Sequence, residues 1–324
     1  MTALAPGRSA CIVGASAVGA FGADWKGLDA ALEAPQSFRC RALDLEPLEN
    51  REAVRARKLM SRGARLGALA MTRALADAGW TEHHEEIGAF FGVGASGGSM
   101  EELEAMLRKS AGPHGFSTEA FGGPGLLACN PLLAFQLMNN FTLCHGAILN
   151  GTGGPNAAFF SRGGGTAFAL AEAIHALAET DATRVLAGAA DTALHPVTRD
   201  ELEREGWLNR GVVPAEGAAV LALAASGGPR ITDVSLSSLE ALATRDAADV
   251  VVTVGSTDEL RGSLAKAFAG AIDVSGLGES LAATPALAWV VAYRLISTGR
   301  AKSVHVVTAG VDGEVTSVRL EGAA

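Results

Sequence analysis

The stretch GPNAAFFSRGGGTAFALAEAIHALAETDATRVLAGAADTALHP, Gly154–Pro196, decides the fold. Ala157–Phe160 is a short apolar run and predicts a strand. Gly154-Pro155-Asn156 precedes it and Ser161-Arg162-Gly163-Gly164-Gly165 follows it. Gly164–Glu179 reads as a helix built largely of alanine. Arg184–Ala189 reads as a second strand, running into Ala187-Gly188-Ala189-Ala190-Asp191 and then His195-Pro196. Strand, helix and strand in succession form a crossover unit, the building block of an α/β fold.

The same alternation extends outward. Upstream, Ser9–Val13 is a strand ending in a glycine-rich loop, Gly14–Gly22, followed by a helix over Trp25–Leu32. Leu59–Ala78 carries apolar residues at helical spacing and is stopped by Gly79. Ile87–Val93 is a buried strand, Gly94–Gly98 a tight loop, Met100–Lys109 a helix, Gly112–Gly125 a loop and Pro131–Thr142 a further helix. Downstream come a strand at Gly217–Ala224 and a hinge at Ser226–Pro229. Strands at Ile231–Ser235 and Asp249–Val254, helices at Asp258–Ala269 and Ser280–Ser297, and strands at Ser303–Thr308 and Glu314–Leu320 complete the chain. This predicts an α/β protein with mostly parallel strands, divided into residues 1–226 and 227–324.

With 324 residues there is room for a large core, and the 40 glycines and single tyrosine, Tyr293, suit helices packed closely on sheets. The formal charge of −9 argues against a nucleic-acid partner, which needs a concentrated basic face. The basic cluster Arg55, Arg57, Lys58, Arg62 and Arg65 is short and reads as a solvated helix face. Cys11, Cys40, Cys129 and Cys144 form no close-spaced pair, so no zinc site, other metal site or disulfide framework is expected. The N-terminus shows no signal-peptide pattern and no apolar run reaches membrane-spanning length. A cytoplasmic protein with no membrane partner is expected.

Two short motifs fall on Gly92–Gly97. As G-x-G-x-x-G after a strand they could cradle a pyrophosphate, but the acidic residue that should end a following strand is missing. As G-x-S-x-G they would make Ser96 a hydrolase nucleophile, with Asp191 as the acid and His305 as the base. His305, however, lies inside an apolar strand. The simpler reading is that the glycines permit a tight turn.

Gly154–Pro196 resembles the nucleophile region of the β-ketoacyl synthases. There a Gly-Pro-Ser strand leads to a cysteine at a helix N-terminus, and a helix, a strand ending in Ala-Gly-Gly-Ala-Glu and a proline follow. The helix end stabilises the cysteine thiolate. Aligned on Gly154-Pro155, the nucleophile position falls on Gly163. The resemblance is carried further by Ile12–Gly22, Trp25, Leu28, Lys58-Leu59-Met60-Ser61-Arg62, Ala74–Gly79, Ile87–Gly98 and Pro214-Ala215-Glu216-Gly217-Ala218-Ala219. It is looser beyond Leu223. Val254 stands at the position of the family's first histidine and Glu279 at that of the second, with Val274 at the lysine position. The closing Gly-Phe-Gly-Gly-Thr-Asn loop becomes Ala309-Gly310-Val311-Asp312-Gly313.

The resemblance implies a thiolase-like fold of two pseudo-equivalent βαβ halves in αβαβα layers, with no cofactor. With the thiol and both imidazoles gone, it implies a non-catalytic subunit of the chain-length-factor type, in type II polyketide or fatty-acid-like synthesis. Such a factor forms a heterodimer with an active ketosynthase subunit and meets the acyl carrier protein through the complex. Polyketide chain-length factors commonly carry glutamine where this chain has Gly163. By position, Met100, Leu103, Met106 and Leu107, with Leu126, Leu127 and Asn130, are expected at the acyl tunnel and interface. The edge strand, with Phe159 and Phe160, is expected to pair across the dyad. Ordinary core is the alternative for these side chains. An acyltransferase or hydrolase using Ser161, Cys129 or Cys144 (beside His145) stays open, as does a homodimeric binding or scaffold protein.

Overall fold

The computed structural model describes residues 4, 5, 7–34, 56–95, 97–244 and 248–323, without the side chain of Arg57. Cys40, Arg55 and Ser96 therefore lie outside the described residues.

The first five main strands are β1 (Ala10–Gly19), β2 (Gly88–Val93), β5 (Asn156–Phe160), β6 (Arg184–Thr192) and β7 (Glu216–Ala224). A two-stranded hairpin, β3 (Ala111–Gly112) and β4 (Gly115–Phe116), stands apart. The second set is β8 (Arg230–Leu236), β9 (Val250–Gly255), β10 (Ile272–Asp273), β11 (Ser303–Ala309) and β12 (Val315–Glu321). The ten strands lie in the order β10-β9-β11-β12-β8-β1-β7-β6-β2-β5. From the middle outward, the first half runs 1-7-6-2-5 and the second 8-12-11-9-10. The same order recurs with β1 matching β8, β2 matching β9, β5 matching β10, β6 matching β11 and β7 matching β12. The halves join through Ala10 opposite Ile231 and Cys11 opposite Arg230.

The sheet is mixed, which corrects the expectation of mostly parallel strands. β2 runs parallel to β5 and β6, and β9 parallel to β10 and β11. β7 and β12 run against both of their neighbours. Parallel pairing needs a long crossover, and β11 and β12 are joined only by residues 310–314, a hairpin connection.

The helices are α1 (Trp25–Glu33), α2 (Arg62–Asp77), α3 (Met100–Lys109), α4 (Thr118–Ala120), α5 (Leu133–Leu137), α6 (Phe141–Asn150), α7 (Gly164–Glu179), α8 (Pro196–Arg204), α9 (Leu239–Ala243), α10 (Asp258–Ala267) and α11 (Ala283–Ser297). α7 and α11 form the central layer. α7 touches β2, β5 and β6 on one side and β8 and β12 on the other, and α11 likewise touches strands of both halves. A helix covered on every face must be apolar all round, and small side chains let two sheets approach it. This accounts for Ala167, Ala169, Ala171 and Ala173 in α7 and for Ala286, Ala288 and Ala292 in α11, all buried. α2 covers the outer face of the first half, with Leu66, Met71 and Leu75 against Phe91, Leu186 and Val220. α9 and α10 cover the second, with Leu242 and Leu264 against Val307. The result is the five-layer αβαβα arrangement.

Four local expectations change. β1 continues through the stretch read as a loop, pairing with β7 from Cys11 to Gly19. Gly14 serves close packing there, because a Cβ would lie 2.7 Å from the Ala78 Cα. The segment read as one helix from Pro131 splits into α5 and α6, with Met138 extended between them. α11 starts at Ala283, after Leu281 adopts φ +50°. α8 was not expected; Pro196 sits in its first turn, where no N–H is needed, and His195 caps it.

Candidate functional site

β5 delivers the chain to Ser161, Arg162 and Gly163, from which α7 starts. The first N–H groups of a helix lack partners inside it and carry partial positive charge. Here they are taken. Gly163 N and Gly165 N donate to Ser161 Oγ at 3.0 and 2.7 Å, and Gly164 N donates to Asp312 Oδ2 at 2.8 Å. Asp312 comes from the β11–β12 connection, where its Oδ1 also accepts from Glu314 N at 3.1 Å. Gly163 has φ +153° and ψ −59°, a conformation that strains any L-residue with a side chain. Ser161 Oγ accepts twice, so its lone pairs are engaged as a cap.

Gly163 and Glu279 line one cavity, together with Glu314, Thr284, Thr308 and Thr316. It has room for about one water molecule, at about 10 Å³. Glu279 is buried and accepts from Ser256 Oγ, from Leu281 N at 2.7 Å and from Thr284 Oγ1 at 2.6 Å. Burial holds its carboxyl above the usual range against these hydrogen bonds, and the charge of Asp312 adds to the rise. Asp191, at the end of β6, accepts from Thr192 N at 2.7 Å and Ala282 N at 3.2 Å. Burial pushes its carboxyl up to about 7, with the charge of Glu279 adding to the effect. Burial and the neighbouring Asp312 also raise the Glu314 carboxyl. The one cation on this cavity's wall, Arg162, is held by Glu205 and Glu201.

Of the four positions aligned with family chemistry, the structure thus brings Gly163 and Glu279 together. Val254 lines a second small cavity, also bordered by Glu279, with Ser256, Ser275 and Arg261. Val274 lines neither cavity and packs into the central core. Sequence reasoning missed the placement of Asp312, the capping role of Ser161 and the Ser256–Glu279 contact. It also misread Arg62, which is not a solvated charge. Arg62 pairs with the buried Glu216 through Nη2 at 2.5 Å and Nε at 3.0 Å, and so ties α2 to β7.

The hydrolase arrangement is not assembled among the described residues. His305 is buried in β11 with Nε2 on Ser317 Oγ at 2.8 Å, and the partners of Asp191 are backbone N–H groups. The glycines of Gly92–Gly97 answer to close approach rather than to turn geometry. A Cβ at Gly92 would meet Thr166, one at Gly94 the Asp191 carboxylate, and one at Gly97 the His195 ring. Cys129 Sγ donates to Leu126 O at 3.4 Å, and burial raises the Cys144 thiol. Burial lowers the neighbouring His145. Among the described residues one group of three could hold a surface cation. His83, Glu85 and Glu86 are exposed, with ligand atoms within 4.8 Å of one another.

Met100, Leu103 and Leu107 line an open groove of about 610 Å³ with Leu137 and Val197; Glu104, Arg108 and Glu201 also border it. His195 also lines it. Its Nδ1 accepts from Val197 N at 3.3 Å, which leaves Nε2 to donate to Gly98 O at 3.1 Å. Met106 is half-buried outside the groove, and Leu126, Leu127 and Asn130 are exposed beyond it. Phe159 packs against the central core. Phe160 is exposed on β5, the edge strand of the sheet. Among the described residues the exposed large apolar side chains all fall between Met100 and Val197, with Leu127 at 88%, Ile148 at 70% and Phe160 at 64%.

The family model described as the β-ketoacyl synthase N-terminal domain matches residues 14–226. Several solved structures share the fold. A type II PKS acyl-carrier protein in complex with its ketosynthase (AntDE:AntF) superposes with a TM-score of 0.75 at 15% identity, covering 98% of this chain and 99% of that one. A β-ketoacyl synthase from Burkholderia phymatum gives 0.73 at 17%, covering 98% and 100%. The ishigamide ketosynthase/chain length factor gives 0.73 at 16%, again covering 98% and 100%. Among curated proteins none matches the sequence.

Proposed function

Because the chain belongs to the β-ketoacyl synthase family, we propose that it is a non-catalytic ketosynthase-like subunit. It pairs with an active β-ketoacyl synthase and shapes the tunnel for the growing acyl chain, as a chain-length factor does. The observation that carries this reading is the start of α7. Gly163 offers no nucleophile, and the N–H groups that would steady a thiolate are already bonded to Ser161 and Asp312. Glu279 stands at a histidine position, and its oxygens are engaged by Ser256, Leu281 N and Thr284.

Apolar side chains left bare around the groove and on the sheet edge support pairing. Met100, Leu103 and Leu107 face the acyl chain, and Leu126, Leu127, Asn130 and Phe160 meet the partner. Acyl carrier protein is met through the complex. We read residues 1–226 and 227–324 as the two halves of the subunit, which acts in the cytoplasm. No helix among the described residues is long and apolar enough to cross a membrane.

Co-expression with a candidate synthase tests the reading. Co-purification of the two chains, with product length changed by Leu103→Trp in this one, is the expected outcome. A stable acyl adduct on this chain after incubation with acyl thioester, seen by mass spectrometry on Ser161, Cys129 or Cys144, would overturn it.

A further inference from the structure

The loop that carries Asp312 lies 148 residues from the helix end it touches, and it makes a specific contact there. Gly163 and Gly164 are buried beneath it, while Asp312 itself is exposed to solvent. One carboxylate oxygen accepts from the helix N–H and the other from Glu314 N in its own loop, so both oxygens are oriented. A Cβ at Gly164 would collide with the Glu314 carboxylate, and one at Gly163 would sit 3.5 Å from Asp312 Oδ2. The cation nearest these groups, Arg162, is committed to Glu205 and Glu201.

We propose that Asp312 is a built-in anion that occupies the helix end in place of a ligand, closing the vestigial site to acyl donors. The closure has two parts. A carboxylate already fills the position where a helix end attracts negative charge. Its charge repels an incoming malonyl carboxylate. The site is therefore shut by Asp312 as well as by the loss of a thiol, and a cysteine restored at position 163 would not by itself revive it. This rests on reading the cavity as the degenerate condensing site. Co-expression reads pairing and chain length, whereas the measurements below read an anion on a helix, so either can fail alone.

The deciding comparison is Asp312→Ala against the unchanged protein, melted in sodium formate and in sodium chloride at equal ionic strength. Removing the cap lowers the melting temperature by roughly 2 °C or more. Formate, a small carboxylate that fits the space left behind, raises it selectively in the variant. Equal formate shifts in the two proteins overturn the proposal. A second pair reads the helix end by thiol reactivity instead of by melting, and because both members carry the same Gly163→Cys change its strain cancels between them. Gly163→Cys and Gly163→Cys with Asp312→Asn are treated with iodoacetamide, whose iodide the thiolate displaces. Freeing the helix end makes the second thiol about tenfold more reactive at neutral pH. Equal rates overturn the proposal.

Discussion

Asp191 and Asp312 stand at matching places in the two halves. β6 and β11 are equivalent strands, with Asp191 at the end of the first and Asp312 in the connection after the second, and each aspartate reaches across to the central helix of the other half. Asp191 accepts from Ala282 N, just ahead of α11, and Asp312 accepts from Gly164 N, at the start of α7. The device is one; the surroundings are opposite. Asp191 is buried and its carboxyl is pushed up to about 7, whereas Asp312 stands at the surface. The comparison teaches that a helix cap is set by geometry, while its dependence on pH is set by burial.

The largest expected effect follows from that burial. A carboxyl raised in the folded state adds stability that is full below its ordinary value of 3.8 and is lost as pH rises to about 7. The swing over that window is at most roughly 4 kcal/mol. Asp191→Asn removes it, so the variant gains on the unchanged protein as pH is raised from about 5 to 8 in urea unfolding. Parallel pH profiles for the two proteins would break the comparison.

A smaller effect separates the two caps at fixed pH. Near pH 5, Asp191→Ala leaves two buried N–H groups without an acceptor and costs about 2–3 kcal/mol. Asp312→Ala exposes its helix end to water and costs about 1 kcal/mol. Matching urea midpoints would show that burial does not distinguish them.

The smallest expected effect on folding sharpens a second difference. Only the first half leaves large apolar side chains exposed among the described residues. Leu127 and Phe160 are exposed, so Leu127→Asp and Phe160→Asp each shift stability by less than about 0.5 kcal/mol. Size-exclusion chromatography with the co-expressed synthase should nonetheless lose the heteromeric peak. A retained peak would place the partner elsewhere.

Much of this was legible in local sequence. The order of small, apolar and glycine residues in Gly154–Pro196 gave strand, helix and strand at close to their observed bounds, and two of the positions picked out by alignment, Gly163 and Glu279, line a single cavity. What escaped was set by distance along the chain. Nothing near Asp312 signals that it caps a helix 148 residues away. Nothing near Arg62 signals its pairing with Glu216. Gly14 and Gly92 looked like turn residues because a sequence shows a missing side chain without showing what fills the space; here it is Ala78 and Thr166. Val274, aligned with a catalytic position, became core because an apolar side chain there lost any reason to face the cavity.

The crossed caps also bear on how the chain acquires its structure. Each central helix takes one backbone bond at its start from the other half, and among the described residues the sheet joins across two residue pairs between β1 and β8. The interior is completed by contacts of high sequence separation, which form late and slow folding. The amides of Gly164 and Ala282, on opposite halves, would then be released to solvent exchange in one concerted opening.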